Sequence, residues 1–271
     1  MANQAKAAGS SEIDVAVPSV ARVYDYLLGG KDNFASDREV GNRLLAIAPD
    51  AARTAPIHRE FLARGVRFLA GTGVMQFVDL GSGLPTADNT HQVAHTIDPR
   101  CSVVYVDHDP IVLAHGRAIL ADHPRTAVVR ADFRSPEDVV SAPEFTKLID
   151  LSKPVAWLML SVVHHLGDEE HPDSLVEKYK SLMTPGSYLF LSHFLRRPGD
   201  ARIDRLEAVM QESLGSGRFR TQQEIERYFD GMEMVHPGVV STALWRPTSP
   251  IAPQDLETSH ILISGGMARR T

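Results

Sequence analysis

The chain has 271 residues, 43% of them hydrophobic, with 28 Lys and Arg against 34 Asp and Glu and a net charge of −6. This length fits one large domain or one domain with an appendage, and the balanced composition excludes disorder, collagen and coiled coil for the chain as a whole. Without a dense Lys/Arg cluster nucleic acid is not an expected partner, and without about 18 consecutive apolar residues neither is a membrane.

The N-terminal segment, residues 1–18, is small and polar up to Pro18, and we expect it to be flexible because it has little to bury. It contains one Lys and no continuous apolar core, so it does not resemble a signal peptide. The single cysteine, Cys101, cannot form an internal disulfide. Together these features predict a cytoplasmic protein, and they leave its oligomeric state open.

Residues 19–73 carry a helical pattern. Apolar residues at helical spacing predict helices that begin at Ser19, at a capping box formed by Ser36 and Glu39, and near Ile57. We expect this segment to form a helical cap over the rest of the chain.

Three aromatic side chains of the cap are candidate substrate contacts on a lid, with ordinary packing between the helices as the alternative. They are Tyr24, Tyr26 and Phe34.

From residue 76 the pattern changes to short apolar runs without alternation, which are typical of strands buried on both faces. The first five are FVDL at 77–80, SVVYV at 102–106, TAVVRA at 126–131, PVAWLML at 154–160 and SYLFL at 187–191. Helical stretches lie between several of them, and this alternation predicts an α/β, doubly wound, mostly parallel sheet over residues 74–271. The later runs MEMV, VVSTALW and SHILIS are expected to form a hairpin at the sheet edge.

Ligands of such sheets bind beyond the carboxyl ends of the strands, and the first strand is followed by the glycine-rich turn LGSGLPT. Gly81 and Gly83 permit a tight turn and a close approach of ligand to backbone. The dinucleotide fingerprint requires a third glycine where Thr86 stands, and the Lys-Ser/Thr ending of a P-loop is missing. The turn therefore favours neither a dinucleotide nor a nucleoside triphosphate, whereas Asp79 suits a cationic group of a ligand.

Further carboxylates follow the second and third predicted strands. Asp107 is suited to accept both hydrogen bonds of a ribose diol. Asp132 can accept from an exocyclic amine, and Phe133 can cover an aromatic ring. Because these acids and Asp79 follow successive strands, the sequence predicts one pocket for an adenosine that carries a charged amino-acid tail.

On these motifs the chain resembles the class I S-adenosylmethionine-dependent methyltransferases over about residues 75–270, through FVDLGSG, YVDHDP, ADF, WLMLSVVHHL and MTPGSYLFLSH. More narrowly, ARVYDYLLGGKDNFASDRE at 21–39, LGSGLPT and VVYVDHDP are similar to an actinobacterial family of S-adenosylmethionine methyltransferases whose substrate is generally unassigned. The resemblance implies a seven-stranded Rossmann-like sheet with an antiparallel edge strand, and S-adenosylmethionine as the cofactor.

The resemblance also implies positions for the cofactor contacts. It places Gly81 and Gly83 under the methionine part and Asp79 at its amino group, and it places Asp107 at the ribose and Asp132 at the adenine amine. The other implied contacts are His108 beside the adenine and Ser161 near the sulfonium.

A sulfonium methyl donor requires positioning and exclusion of water more than covalent chemistry from the protein. If the acceptor is a hydroxyl, a general base helps, and the candidates are His165 first, then His164 and His193. An ordinary hydrogen-bonded role at the strand end is the alternative for these histidines. Methyltransferases of planar nitrogens usually carry an Asn/Asp-Pro-Pro-aromatic run at this position, which LSVVHHL does not match. The sequence thus predicts an S-adenosylmethionine-dependent methyltransferase of an unidentified small molecule.

Two other functions stay open: a non-catalytic protein that binds S-adenosylmethionine or S-adenosylhomocysteine, and a nicotinamide-dependent oxidoreductase, which Thr86 disfavours. His91 and His95, four residues apart, could imitate a metal-binding pair. No HExxH glutamate or third ligand accompanies them, so a solvated helix face is preferred and no metal is expected.

Overall fold

The computed structural model describes residues 14–85, 88–120 and 123–271. Its centre is a sheet in the order β3-β2-β1-β4-β5-β8-β6, with β7 also paired to β8. The strands are β1 Gln76–Leu80, β2 Ser102–Asp107, β3 Thr126–Arg130, β4 Ala156–Leu160, β5 Tyr188–Phe194, β6 Glu233–Met234, β7 Val240–Ser241 and β8 Ile263–Arg269.

Strands β1 to β5 are mutually parallel, and β8 runs antiparallel to β5, which confirms the predicted mostly parallel sheet with an antiparallel strand towards one edge. The described residues contain eight strands, one more than the seven predicted. The difference arises because β6 and β7 are two residues long and pair with successive parts of the same strand, β8.

The helices of the described residues are α1 Val20–Leu27, α2 Ala35–Ile47, α3 Thr54–Gly71, α4 Thr90–Ile97, α5 Pro110–Leu120, α6 Pro136–Ser141, α7 Pro143–Leu148, α8 Pro172–Ser181, α9 Ala201–Leu214, α10 Gln222–Arg227 and α11 Thr258–Ile261. No helix in these ranges is both long and apolar enough to cross a membrane. The run SHILIS, predicted as a strand, is helical in its first half. There the backbone N–H of Glu257 donates to His260 Nδ1, and the chain turns before β8 begins.

Both faces of the sheet are covered, as the continuous apolar runs predict. In β4, Trp157 and Met159 belong to the hydrophobic cluster on one face, whereas Leu158 belongs to the cluster on the other. The second cluster includes Phe61 and Val66 of α3. Helix α3, which the sequence assigned to the cap, therefore packs directly against the sheet.

Helices α1 and α2 pack instead against α9, through a separate cluster that includes Val23, Leu44 and Met210. A buried ion pair joins α1 to α2, with Arg22 Nε 2.9 Å from Asp37 Oδ2. Asp37 also accepts hydrogen bonds from the backbone N–H groups of residues 19 and 34. The part of the predicted cap that lies off the sheet thus consists of two helices joined by a buried charge pair and by shared apolar packing.

The capping box predicted from Ser36 and Glu39 is wrong, because α2 begins two residues earlier than that box requires and Asp37 accepts from the backbone N–H at the helix start. Ser36 Oγ donates instead to the carbonyl of Val15, and Arg22 donates to the carbonyl of Val17. These bonds hold the described end of the segment predicted to be flexible. Residues 1–13 of that segment lie outside the described residues.

Candidate functional site

A cavity of about 520 Å³ opens at the carboxyl edge of the parallel strands, beneath α1 and beside α9. It brings together most of the site residues predicted from the sequence: Tyr24, Asp79, Gly81, Gly83, Asp107, His108, Asp132, Phe133, Ser161, His164 and His165. Tyr26 and Phe34 do not line it. The Tyr26 hydroxyl donates to Asn42 Oδ1 at 2.8 Å, and Phe34 is 37% exposed beneath the Arg22 guanidinium.

The glycine-rich turn passes close to the residues that follow β4. Gly81 has φ +65°, and a Cβ atom there would lie 2.4 Å from Cγ2 of Val162. Gly83 also has φ +65°, but a Cβ atom there would meet nothing within 4 Å. Only glycine fits position 81 without strain, because both backbone conformation and space exclude a side chain. Thr86, the residue that disfavours a dinucleotide, lies outside the described residues.

Asp107, at the end of β2, is held in place by two backbone donors. Its Oδ2 accepts from Gly83 N at 3.0 Å, and its Oδ1 accepts from Asp109 N at 2.9 Å. Burial raises the pKa of Asp107, although these two hydrogen bonds oppose the shift. A carboxylate has about four lone-pair sites, so two sites are left to accept from a ligand diol.

Asp79, at the end of β1, is buried, and its Oδ2 accepts from Thr90 Oγ1 at 2.7 Å. Burial raises the pKa of Asp79 to about 6, against the opposing effects of the Thr90 hydrogen bond and the Arg59 charge. Arg59 also lines the cavity. The pair places one anionic and one cationic group beside the glycine turn, where the amino and carboxylate groups of an amino acid would find partners of opposite charge.

Asp132, which follows β3, forms an ion pair with Arg134, whose Nη2 lies 2.6 Å from Oδ2. Burial by itself raises the pKa of Asp132, but the hydrogen bonds and charge of Arg134 outweigh it and the pKa is lowered. Asp132 is therefore ionised at neutral pH. The next residue, Phe133, is largely buried and lines the cavity with it.

Ser161, the first residue after β4, has a strained backbone with φ 52°. Its backbone N–H donates to Ser192 Oγ at 2.9 Å, and its own Oγ lies 3.2 Å from His58 Nε2. His58 Nε2 lies 2.7 Å from Ser192 Oγ, and His58 Nδ1 lies 3.3 Å from the Tyr24 hydroxyl. These contacts fix Ser161 in place after β4, the strand that lies between β1 and β5.

His58 and Arg59, both on α3, are site residues that the sequence reasoning missed. Burial lowers the pKa of His58 to about 3, so its ring is neutral at physiological pH. The sequence does contain a signal that points to His58. This residue lies four residues after Thr54 and three before Phe61, on the buried face of the helix. A polar ring on an apolar stripe requires a hydrogen-bond partner, and the fold supplies it from β5.

The paired histidines after β4 have different surroundings. His165 Nδ1 lies 2.8 Å from Ser216 Oγ, and burial lowers the pKa of His165 to about 4. Burial also lowers the pKa of His164, whose Nδ1 has no hydrogen-bond partner among the described residues. His193, the third candidate, does not line the cavity. Its Nε2 lies 3.0 Å from Arg220 Nη1 and its Nδ1 lies 2.8 Å from the carbonyl of Phe194, so both of its nitrogens are engaged.

The helix that carries His91 and His95 is not solvated on that face. His91 is buried, and its Nδ1 lies 2.7 Å from the hydroxyl of Tyr105 on β2. His95 Nε2 lies 2.9 Å from the carbonyl of Cys101. The prediction of a solvated face is wrong, because α4 packs its histidines against the neighbouring strand.

Comparison with known proteins decides which family this architecture represents. A sequence model described as S-adenosyl methyltransferase matches residues 6–271. The chain belongs to this S-adenosyl methyltransferase family. Membership supplies the cofactor, S-adenosylmethionine.

Two solved structures closely resemble this S-adenosyl methyltransferase. A candidate methyltransferase from Thermobifida fusca YX is 44% identical, with a TM-score of 0.92 over 98% of this chain and 100% of that one. A DUF574 family protein from Streptomyces avermitilis is 34% identical, with a TM-score of 0.90 over 95% of this chain and 99% of that one.

A curated relative, named as a candidate S-adenosyl-L-methionine-dependent methyltransferase of Rhodococcus jostii, is 31% identical over 144 residues. The match covers 51% of this chain and 46% of that protein, so the chain spans about half the length of this relative.

Proposed function

We propose that this protein transfers the methyl group of S-adenosylmethionine to a small-molecule acceptor held in the same cavity. The observation that carries the proposal is the convergence of Asp79, Asp107 and Asp132 on one cavity from the ends of three adjacent strands. No ligand with a single functional group would use three separated carboxylates. A nucleoside with a cationic amino-acid tail would use all of them.

The residues present fit S-adenosylmethionine. Asp79, with Arg59 beside it, suits the amino and carboxylate groups of the methionine part, and the open space beside Gly83 leaves room for a ligand close to the backbone. Asp107 has lone pairs to spare for the two ribose hydroxyls. Asp132 offers an acceptor for the adenine amine.

Two further side chains complete the adenine end of this proposed arrangement. Phe133 offers an apolar face for the base, and His108 lines the cavity beside Asp107. Each follows directly on a carboxylate that the cofactor would use, so each of these two strand ends supplies both a polar group and a flat ring.

When bound, S-adenosylmethionine supplies a methyl carbon that forms a bond to an acceptor lone pair while its bond to sulfur breaks and sulfur keeps the electron pair. The protein has to align the acceptor, exclude water and accept the acceptor's proton. We assign proton acceptance to His165, which is neutral at pH 7 and whose Nε2 is left for a ligand because Nδ1 contacts Ser216. Ser161, held by His58, borders the place of transfer, and His164 supports the adjacent ring.

The size and cover of the cavity favour a small acceptor. Its volume of about 520 Å³ lies within the usual range for small-molecule sites. Helix α1 contributes Val20, Val23, Tyr24 and Leu27 to its wall, so the cap encloses the ligand on that side. A nucleic acid or a protein side chain would require a more open groove.

One observation favours the non-catalytic alternative. The burial that keeps His58 and His165 neutral also lowers their pKa to about 3 and about 4, which makes both weak bases. A protein that only binds the cofactor or its demethylated product would require no base at all.

Two measurements test the proposal. Calorimetric titration with S-adenosylmethionine and S-adenosylhomocysteine should give saturable binding, whereas NAD(P) should give none. Incubation with methyl-labelled cofactor and a metabolite extract should then give a labelled small molecule that depends on the protein. Binding without any labelled product would favour the non-catalytic protein, and no binding of either sulfur compound would exclude both.

A further inference from the structure

The cavity has a second region, away from the three carboxylates, that we call the apolar lobe. Its walls come from α1, from α9 and from the chain around the end of β5: Leu27, Leu206, Met210, Leu214, Phe194 and Phe219. All six belong to, or pack against, the hydrophobic cluster that joins α1, α2 and α9. The lobe is therefore shaped by core packing that exists before any ligand binds.

The charges around the cavity are segregated. Within the described residues its charged lining side chains lie on α3, at the ends of β1 and β2, or shortly after β2 and β3: Arg59, Asp79, Asp107, Asp109, Asp132 and Arg134. From residue 135 onwards the described lining offers only apolar groups, backbone, hydroxyls and imidazoles. Burial lowers the pKa of His164 and lowers that of His165 to about 4, so these imidazoles add no charge at neutral pH.

Sheet order separates the two regions. Strands β2 and β3 lie on one side of β1, whereas β4, β5 and β8 lie on the other. At about 4.8 Å between neighbouring strands, Phe194 on β5 lies two strands, or roughly 10 Å, from the strand that carries Asp79. Ser161 and His58 stand between them. A nucleoside held by the three carboxylates would leave the apolar lobe unfilled.

We infer that the apolar lobe binds the methyl acceptor and that this acceptor is a neutral molecule with an apolar, ring-sized body and a hydroxyl group. This inference rests on the proposed function. A carboxylate, phosphate or ammonium in the lobe would lose its hydration without meeting a charge of opposite sign among the described residues that line the lobe itself. We call the region around Asp79, Asp107 and Asp132 the carboxylate side. The hydroxyl of the acceptor would lie where the lobe meets the carboxylate side, because Ser161 and His165 offer polar partners there.

The test uses 2-naphthol and 2-naphthoate, which share a ring system but differ in charge at neutral pH. Each is titrated into the full-length protein saturated with S-adenosylhomocysteine, and binding is followed by calorimetry and by naphthol fluorescence. We expect 2-naphthol to bind and 2-naphthoate to bind at least about tenfold more weakly, since an anion gains no partner in the lobe. Equal affinity for the two probes would overturn the inference of a neutral acceptor.

Two lobe variants and one control variant locate the binding. Met210→Lys places a charge inside the lobe and should weaken 2-naphthol binding by at least about tenfold. Gln211→Lys adds the same charge at the next, exposed position of α9 and should leave it unchanged. Leu214→Glu repeats the test at a half-buried position, where a charged side chain disturbs folding less.

Affinity for S-adenosylhomocysteine, measured on each variant, reports that the fold is intact and separates this inference from the proposed function. Naphthol binding that survives both lobe variants while the sulfur ligand still binds would place the probe elsewhere and overturn the inference. If the wild-type protein binds no sulfur ligand, the proposed function fails. Naphthol titration of the ligand-free proteins would in that case still test the lobe: loss of binding in both lobe variants but not in the control variant would identify the lobe as a site for neutral apolar ligands.

Discussion

The two regions of the cavity offer a ligand different kinds of contact. On the carboxylate side, Asp79, Asp107 and Asp132 are each oriented by a protein donor before any ligand arrives, from Thr90, from backbone N–H groups and from Arg134. The apolar lobe has no such charged groups among its described residues and takes its shape from helix packing. Oriented charges select a ligand with fixed functional groups, whereas apolar walls select by size and by neutrality.

The largest expected effect separates chemistry from cofactor binding. His165→Asn should lower methyl transfer to the labelled product by about 10²–10⁴-fold, the usual range for loss of a general base, while cofactor affinity stays the same. The matched control is His171→Asn, at an exposed histidine whose φ of 50° suits asparagine. A His165 variant that transfers methyl groups at the wild-type rate would show that no base acts from this position.

The glycine turn allows a sharper comparison within the carboxylate side. Gly81→Ala should cost about 2–5 kcal/mol, because it adds a clash with Val162 to the strain of the left-handed backbone. Gly83→Ala has the same φ without the clash and should cost about 1–2 kcal/mol.

Urea unfolding and cofactor titration of both glycine variants give the two free energies. Equal losses for positions 81 and 83 would contradict the close approach of the turn to Val162.

Removal of the charge at the proposed ribose contact should weaken binding of the cofactor. Asp107→Asn should reduce affinity for S-adenosylmethionine by about 1.5–3 kcal/mol, the range for a hydrogen bond to a charged partner. Asp138→Asn, at an exposed position of α6, is the matched control and should change nothing. Unchanged affinity in a folded Asp107 variant would exclude this residue as the diol acceptor.

The smallest effect concerns pH. Burial raises the pKa of the unliganded Asp79 carboxyl to about 6, and a cationic amino group pairs only with the ionised form. Cofactor affinity should therefore rise by about tenfold between roughly pH 5 and pH 7 and then level off. In Asp79→Asn this rise in affinity should be smaller. If the variant shows the same pH dependence of cofactor affinity as the wild type, Asp79 is not the contact of the amino group.

The same raised pKa has a consequence for stability. Because the folded state holds the Asp79 proton more tightly than the unfolded state, this group favours folding when protonated. Its contribution is lost as pH rises from 3.8 to about 6. Difference curves of unfolding free energy between wild type and Asp79→Asn should show this sign in the absence of ligand.

The carboxylate side could be predicted from sequence because each of its groups follows a strand in a local, readable order. The apolar runs identify the strands, parallel strands end at one edge, and the residues after them must meet there. Local pattern was less informative in the cap. It led to a capping box at Ser36 that the buried Arg22–Asp37 pair overrides, and to substrate contacts at Tyr26 and Phe34 that the cavity does not include.

Contacts between residues far apart in the chain account for most of what the sequence did not reveal. His58 meets Ser161 across 103 positions and Ser192 across 134, and no spacing rule connects them. The apolar lobe likewise requires that α1, α2 and α9 share one hydrophobic cluster.

Periodicity and strand ends are properties of short segments, so the doubly wound sheet, the glycine turn and the three carboxylates could all be inferred from the amino-acid sequence. Similar amphipathic stripes can pack on several surfaces, so the folded chain was needed to show that α3 joins the sheet while α1 and α2 cover the cavity. It also decided which polar side chains share one enclosed space, since that depends on the mutual packing of helices and strands that lie far apart in the chain.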